Sequence, residues 1–389
     1  MASRKVISTA REAISAALAP RRVPVRPIVA IASDDWGRSG VPSKSAVESL
    51  VVRPGAWDLY GRESSEDVQE LADTLLGVRD RDGRAACMTA HMVMANLDIE
   101  ATLAAAANAT GGRIVIDGLP LIPISVGFPD DDRDNPLAAY KLAAATGAFR
   151  PELHGLTHFC TSVMAEGLFD SGEFGRRVRG LLARGIPYLA STTPELNFAL
   201  VDRRNGVEAA IDPSAQENWF RHAVAIFEEV FGRRPAAFCA PGYRFDRETL
   251  KLLAAHGIRS NQTCKGNGLR LSDYVISVDR NVVLEPLLNS DGAEAVVERA
   301  LRESRAAAAK GQPIVVCSHS INYIDRFNGR AEEGRRVLGL YLTRLLEDLP
   351  DLRFSSVPEL VDAWSCGNPD WFKATGTRGH LARGSTVAG

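Results

Sequence analysis

Short apolar runs alternate with stretches of helical periodicity from about residue 26 to residue 365. The runs at residues 27–33, 86–95, 114–127 in pieces, 152–154, 236–240, 275–278, 313–318 and 354–357 predict strands. Segments at 66–76, 99–107, 173–184, 216–231, 247–255, 293–309 and 335–349 carry the spacing of helices with one apolar face. A strand, helix, strand rhythm with no long Ser-, Gly- or Pro-rich linker predicts one α/β domain, a parallel sheet with helices outside, which right-handed crossovers readily close into a barrel. Two segments break the rhythm. Residues 127–134 end in an acidic loop that lacks the ligand spacing and turn glycine of a calcium loop, and reads as solvated. Residues 191–213 are polar and turn-rich, suited to a rim or lid over the barrel mouth. Val6, Ile7, Ala10, Ile14 and Leu18 make residues 1–25 an N-terminal helical extension, and residues 366–389 read as a flexible tail after a 26–365 barrel domain.

Composition narrows the class. With 46 Lys and Arg against 48 Asp and Glu, the 389-residue chain has no basic excess for nucleic acid or an anionic membrane. Small or neutral partners are expected, and a homo-oligomer is compatible. No apolar run reaches the roughly 18 to 20 residues that cross a bilayer. Arg11 and Glu12 interrupt the one segment that could resemble an export signal. Six scattered cysteines without a CxxC pair predict reduced, buried thiols and a cytoplasmic location.

In such folds chemistry gathers at the carboxyl ends of the strands. The run from Ile28 ends in Asp34-Asp35-Trp36-Gly37. Neighbouring carboxylates on a regular strand face opposite sides, so they converge only where the chain leaves the sheet, and Gly37 would permit that bend. One could hold a metal while the other handles a proton; taken alone the pair reads equally well as a cap or surface turn. His154 and His158, two of seven histidines, stand at i and i+4, a spacing that one helical turn would bring to a single ion. With a strand-end aspartate they form a two-His, one-carboxylate set that leaves coordination positions open. His319 closes the run from Pro313 and could act as a general acid or as a hydrogen-bonded structural histidine. His91, Asn96, Asn322 and Tyr323 are further candidates for lining the pocket.

The order Asp-Asp, His-x-x-x-His, the stretch from Phe238 through Cys239, Ala240, Pro241, Gly242 and Tyr243, then a strand-end His resembles the polysaccharide deacetylase family, carbohydrate esterase family 4 of the glycoside hydrolase/deacetylase superfamily, over about residues 27–365. The clearest part runs from Ala225 through the Phe231-Gly232-Arg233-Arg234-Pro235 turn to Asp246. The resemblance implies a distorted (β/α) barrel with loop insertions and a metal-dependent hydrolase that removes acetyl from an N-acetylated sugar. It implies Asp34 as general base, His319 as general acid, and Asp35, His154 and His158 as ligands of one divalent ion. Zinc is the default for that set, and Co, Ni, Mn or Fe also fit it. Gly242 would offer a backbone N–H to the oxyanion, with Trp36, His91, Tyr243, Arg244 and Tyr323 toward the substrate. Three departures stand out. Trp36 is inserted where the family has Gly, which would wall the pocket with an aromatic face or pack in the core. Gly155 replaces Ser or Thr after the first histidine. Cys239 replaces an arginine that orients the catalytic aspartate, with Arg244 as candidate substitute. The insertions at 41–84 and 191–213 keep open a hydrolase of another non-peptide C–N bond, and the missing arginine keeps open a non-catalytic carbohydrate-binding protein.

Overall fold

Strand β1, Ile28–Trp36, is buried along its whole length, as suits a strand with helices on one face and a packed interior on the other. In the computed structural model, residues 21–104, 112–129, 134–204, 206–264, 268–288, 292–324, 326–327 and 329–375 are described. After β1 come β2 (Met88–Val93), β3 (Phe149–Gly155), β4 (Ala237–Phe238), β5 (Ser260–Thr263), β6 (Ile276–Asp279), β7 (Val282–Val283) and β8 (Ile314–His319). They pair in parallel in the order β6-β5-β4-β3-β2-β1-β8-β7. No ladder joins the two ends among the described residues. Leu269–Leu271 adds an antiparallel strand on the outer side of β6, so it and β7 are the edges, while only Arg280 and Asn281 separate β6, which lies on β5, from β7, which lies on β8.

Helices Ser65–Leu76, Leu137–Ala145, Pro213–Phe231, Ala293–Ala309 and Ala331–Asp348 cover the outside. Their ends follow local chemistry. Ser64 and Asp67 form a reciprocal capping box, and Pro213–Phe231 starts behind the Asp212 cap and stops at Gly232, whose φ of 67° is left-handed.

Several expectations shift. The run at 114–127 is an antiparallel pair, Ile114–Ile116 with Leu119–Pro123, outside the main sheet. Strand β5 has the polar sequence Ser-Asn-Gln-Thr and gives no hydropathy signal, yet it is buried because β4 and β6 flank it. Helices Leu137–Ala145 and Thr161–Phe169 fall between the anticipated segments. The helix expected from Val6 to Leu18 lies outside the described residues, and the last part of the expected 1–25 helical extension is a strand, Arg21–Pro24, paired with Phe372–Thr375. The start of the expected tail is therefore ordered: Phe372 is buried, and the Trp371 carbonyl accepts from the Val25 N–H at 2.8 Å. Of the acidic loop, residues 130–133 lie outside the described residues; Asp134 accepts from Arg62 and caps Ser65.

Candidate active site

Strand β1 does not stop at Ser33 but carries both aspartates. Its register against β2 shifts between Ser33 and Trp36, and Asp35 sits at φ 72°. A non-glycine residue in the left-handed region inside a bulge is a strained arrangement that re-aims side chains. Gly37, at φ 76°, completes the turn; a Cβ there would come within 2.9 Å of the Val93 carbonyl oxygen. The bulge is pinned by the Tyr60 hydroxyl, which donates to the Asp35 carbonyl at 2.6 Å, and by buried Glu63, which accepts from the Gly37 N–H at 2.6 Å. Burial pushes the Glu63 carboxyl up to about 7.

Asp35 faces the two histidines. Its Oδ1 lies 3.3 Å from His154 Nε2 and 3.1 Å from His158 Nε2. The histidines do not share a helical turn as their spacing suggested. His154 is the penultimate residue of β3, Gly155 ends the strand at φ 144°, and His158 returns from the loop beyond. The Gly155 departure has a packing cause, since a Cβ there would lie 1.9 Å from the Trp219 ring, whose N–H donates to Thr157 Oγ1. His158 Nδ1 is hydrogen-bonded to the Tyr188 hydroxyl at 2.6 Å. Burial, reinforced by Arg38, holds the His158 imidazole down at about 4, in the neutral form that ligates metals. Asp35 Oδ1 and both ring nitrogens of His154 are buried with no hydrogen-bond partner. The three donor atoms converge, and Asp35 Oδ1 and His154 Nε2 among them lack a partner, which fits a single cation because leaving such groups buried and unmatched is otherwise costly.

Asp34 has the opposite surroundings. Arg280, fully buried, forks onto it with Nη2–Oδ1 at 2.6 Å and Nη1–Oδ2 at 2.7 Å, and spends its Nε on Gln262 at 2.7 Å. Burial alone would raise both aspartate carboxyls. For Asp34 the Arg280 guanidinium outweighs it, and for Asp35 the His158 and His154 imidazoles and Arg38 do, so both stay ionised. The Cys239 thiol, held protonated by burial, donates to Asp34 Oδ2 at 3.5 Å. β8 is in register with β1 so that His319 stands opposite Asp34, with Nε2 3.8 Å from Asp34 Oδ2 and Nδ1 2.7 Å from Glu285 Oε1. Burial opposes its charge, but Glu285 overrides this and pushes His319 up to about 10, so it is an imidazolium at neutral pH.

The remaining candidates divide. Tyr243, at φ 59°, belongs to the site: its hydroxyl accepts from Arg280 at 3.0 Å and meets Cys317 Sγ at 3.2 Å. Gly242 forms the turn beside it, with Phe198 of the 191–213 segment against its face. Arg244 does not replace the missing arginine; it pairs with Glu208 at 2.6 Å and bonds the Gly242 carbonyl. Arg280 does that work from another strand end. Trp36 does not wall the pocket but is fully buried, 5.1 Å edge-on to Phe149 and 6.5 Å from Tyr323, with its N–H on Ser33. Tyr323 is likewise buried, bonded to Ser318. His91 is an interior histidine held by Leu153 and Gln262, lowered to about 3 by burial. Asn96 braces Gly37 and Ser39, and Asn322 braces Glu285. The cysteines are all unpaired, but Cys264 and Cys366 are exposed and Cys317 is half-buried rather than buried.

Sequence reasoning missed Arg280, Glu285, Tyr188 and Trp57. Arg280 carried a signal, a charged residue just past the apolar run at 275–278. Trp57 lies inside an insertion with no pattern to mark it.

No family model matches the chain, and no curated protein matches it. Among solved structures it is similar to polysaccharide deacetylases and family 4 carbohydrate esterases. A protein of Mycobacterium smegmatis named as a polysaccharide deacetylase is 15% identical over 93% of this chain and 100% of that one, with a TM-score of 0.42. A family 4 acetyl xylan esterase of Clostridium thermocellum with a cobalt ion is 9% identical over 87% and 92%, TM-score 0.37. A CE4 family pseudoenzyme of Bacillus anthracis is 10% identical over 87% and 66%, TM-score 0.39. At these scores the likeness carries no assignment of activity, and the site is read from its own geometry. No helix among the described residues is long and apolar enough to cross a membrane.

Proposed function

We propose that the protein is a metal-dependent hydrolase that removes an acetyl group from an N-acetylated sugar. The observation that carries this reading is the pair of unlike carboxylates, Asp35 with a bare oxygen between two imidazoles and Asp34 set between Arg280 and His319. Asp35, His154 and His158 would hold one divalent ion, zinc by default, which when bound supplies Lewis-acid polarisation of the acyl carbonyl and acidifies water. Asp34, ionised and fixed by Arg280, accepts the proton of the attacking water. His319, charged through Glu285, gives a proton to the departing nitrogen. The C–N bond breaks as the new C–O bond forms, and acetate and a free amine leave.

The test is elemental metal analysis of wild type and the His154→Ala/His158→Ala protein, coupled to acetate release from N-acetylated sugars. About one ion per chain, lost together with activity in the double variant, is expected. Stoichiometric metal without acetate release transfers the reading to another C–N substrate. No metal after supplementation removes the hydrolase.

A further inference from the structure

The insertion at 41–84 reaches the site through Trp57. Its ring centroid lies 5.0 Å from that of His319, at an interplanar angle of 82°, and 36% of the residue remains exposed. The residue is fixed in place on both sides. Next to it, buried Asp58 accepts from the Gly55 N–H at 3.0 Å and from the Ser191 N–H and hydroxyl at 3.0 and 2.9 Å. Three residues on, Tyr60 anchors to the Asp35 carbonyl and Ser320. An exposed indole on a preorganised segment beside a protonated histidine is a ready contact surface, because little ordering remains to be done on binding.

We propose that Trp57 is the platform for the leaving-group side of the substrate, and that this side is a saccharide ring whose apolar C–H face lies on the indole. The inference rests on the hydrolase reading above. His319 hands its proton to the departing nitrogen, so the atoms bonded to that nitrogen must sit beside it, where they meet Trp57. The aromatic wall is thus supplied by the insertion and not by Trp36, which is spent in the core. Recognition falls on the ring that carries the amine, and the acyl group does not touch it.

The experiment compares wild type, Trp57→Ala and Trp57→Phe on N-acetylglucosamine and on 2,2,2-trifluoroethyl acetate, an acyl donor without a ring. Trp57→Ala should raise KM for the sugar about 3- to 10-fold with kcat within about twofold, the scale of one aromatic contact. Its kcat/KM on the ringless ester should stay at the wild-type level, and Trp57→Phe should recover most of the loss. Binding is read separately, by titrating glucosamine into metal-free and metal-loaded protein and following indole fluorescence. Wild type should respond and Trp57→Phe should not, the other four of the five tryptophans being unaffected. An unchanged sugar KM in Trp57→Ala, or an equal loss on both donors, overturns the platform. Glucosamine binding through Trp57 without hydrolysis of either donor keeps the platform and removes the hydrolase. Turnover of the ester with neither sugar turnover nor glucosamine binding removes the sugar platform alone.

Discussion

Asp34 and Asp35 are neighbours of identical chemistry, yet the fold gives them opposite surroundings. Both are buried and ionised. Asp34 is saturated by a forked guanidinium. Asp35 keeps Oδ1 bare before two imidazoles, while its Oδ2 lies 3.6 Å from Arg38. Arg38 is itself clamped between the rings of Tyr60 and Tyr188, at 4.4 and 4.9 Å. A bulge of one residue in β1 separates a carboxylate matched by an arginine from one whose oxygen is left bare between two imidazoles. Residue type is thus a poor guide to role, and the partner set decides it.

The sharpest way to break the comparison is to neutralise each carboxylate alone. Asp34→Asn should keep its metal and lose about 10²- to 10⁴-fold in kcat, whereas Asp35→Asn should lose the metal itself, both read by elemental analysis beside the acetate assay. Loss of metal in both variants would mean that the aspartates are not distinct. Next in size is the buried pair: Arg280→Met leaves Asp34 charged and unmatched and should cost about 3–5 kcal/mol in urea unfolding, with no recovery on adding metal. Recovery with metal would place Asp34 among the ligands.

On the other side, Tyr188→Phe removes the hydrogen bond that orients His158 and should weaken metal affinity about 10- to 100-fold, measured by equilibrium dialysis, with the fold intact by circular dichroism. The smallest effect is a displacement in pH. His319 is raised by Glu285, so its charge contributes stability in full below its ordinary value of 6.5 and loses that contribution as pH rises through about 10. Its use as an acid fades over the same alkaline limb. Glu285→Gln should move the alkaline limb of kcat down by about one pH unit or more and leave the acid limb in place. An unmoved alkaline limb would show that Glu285 does not set the charge of His319.

Much of the candidate site was legible because it stands at strand ends, where apolar runs give way to polar residues: Asp34, Asp35, His154 and His319 all do. His158 joins His154 by another route than its spacing suggests, since the chain makes a strand end and a turn there and not a helix. Trp36 and Tyr323 were misplaced because an aromatic next to a polar cluster reads the same whether it faces a pocket or the core. Arg244 seemed the natural substitute for the arginine missing at Cys239 because it is five residues away in sequence; Arg280 is 41 residues beyond Cys239 and reaches Asp34 from the two-residue link between β6 and β7.

By itself the sequence determined the α/β rhythm, most of the strands and helices, and the residues whose chemistry needs no partner to be recognised, because burial periodicity and strand-end polarity are local signals. Only the tertiary structure decided which aspartate is matched by an arginine, which histidine is charged, and which tryptophan meets the solvent. Those properties belong to pairs of side chains brought together from distant segments, and charge, protonation and exposure are set by such neighbours rather than by position along the chain.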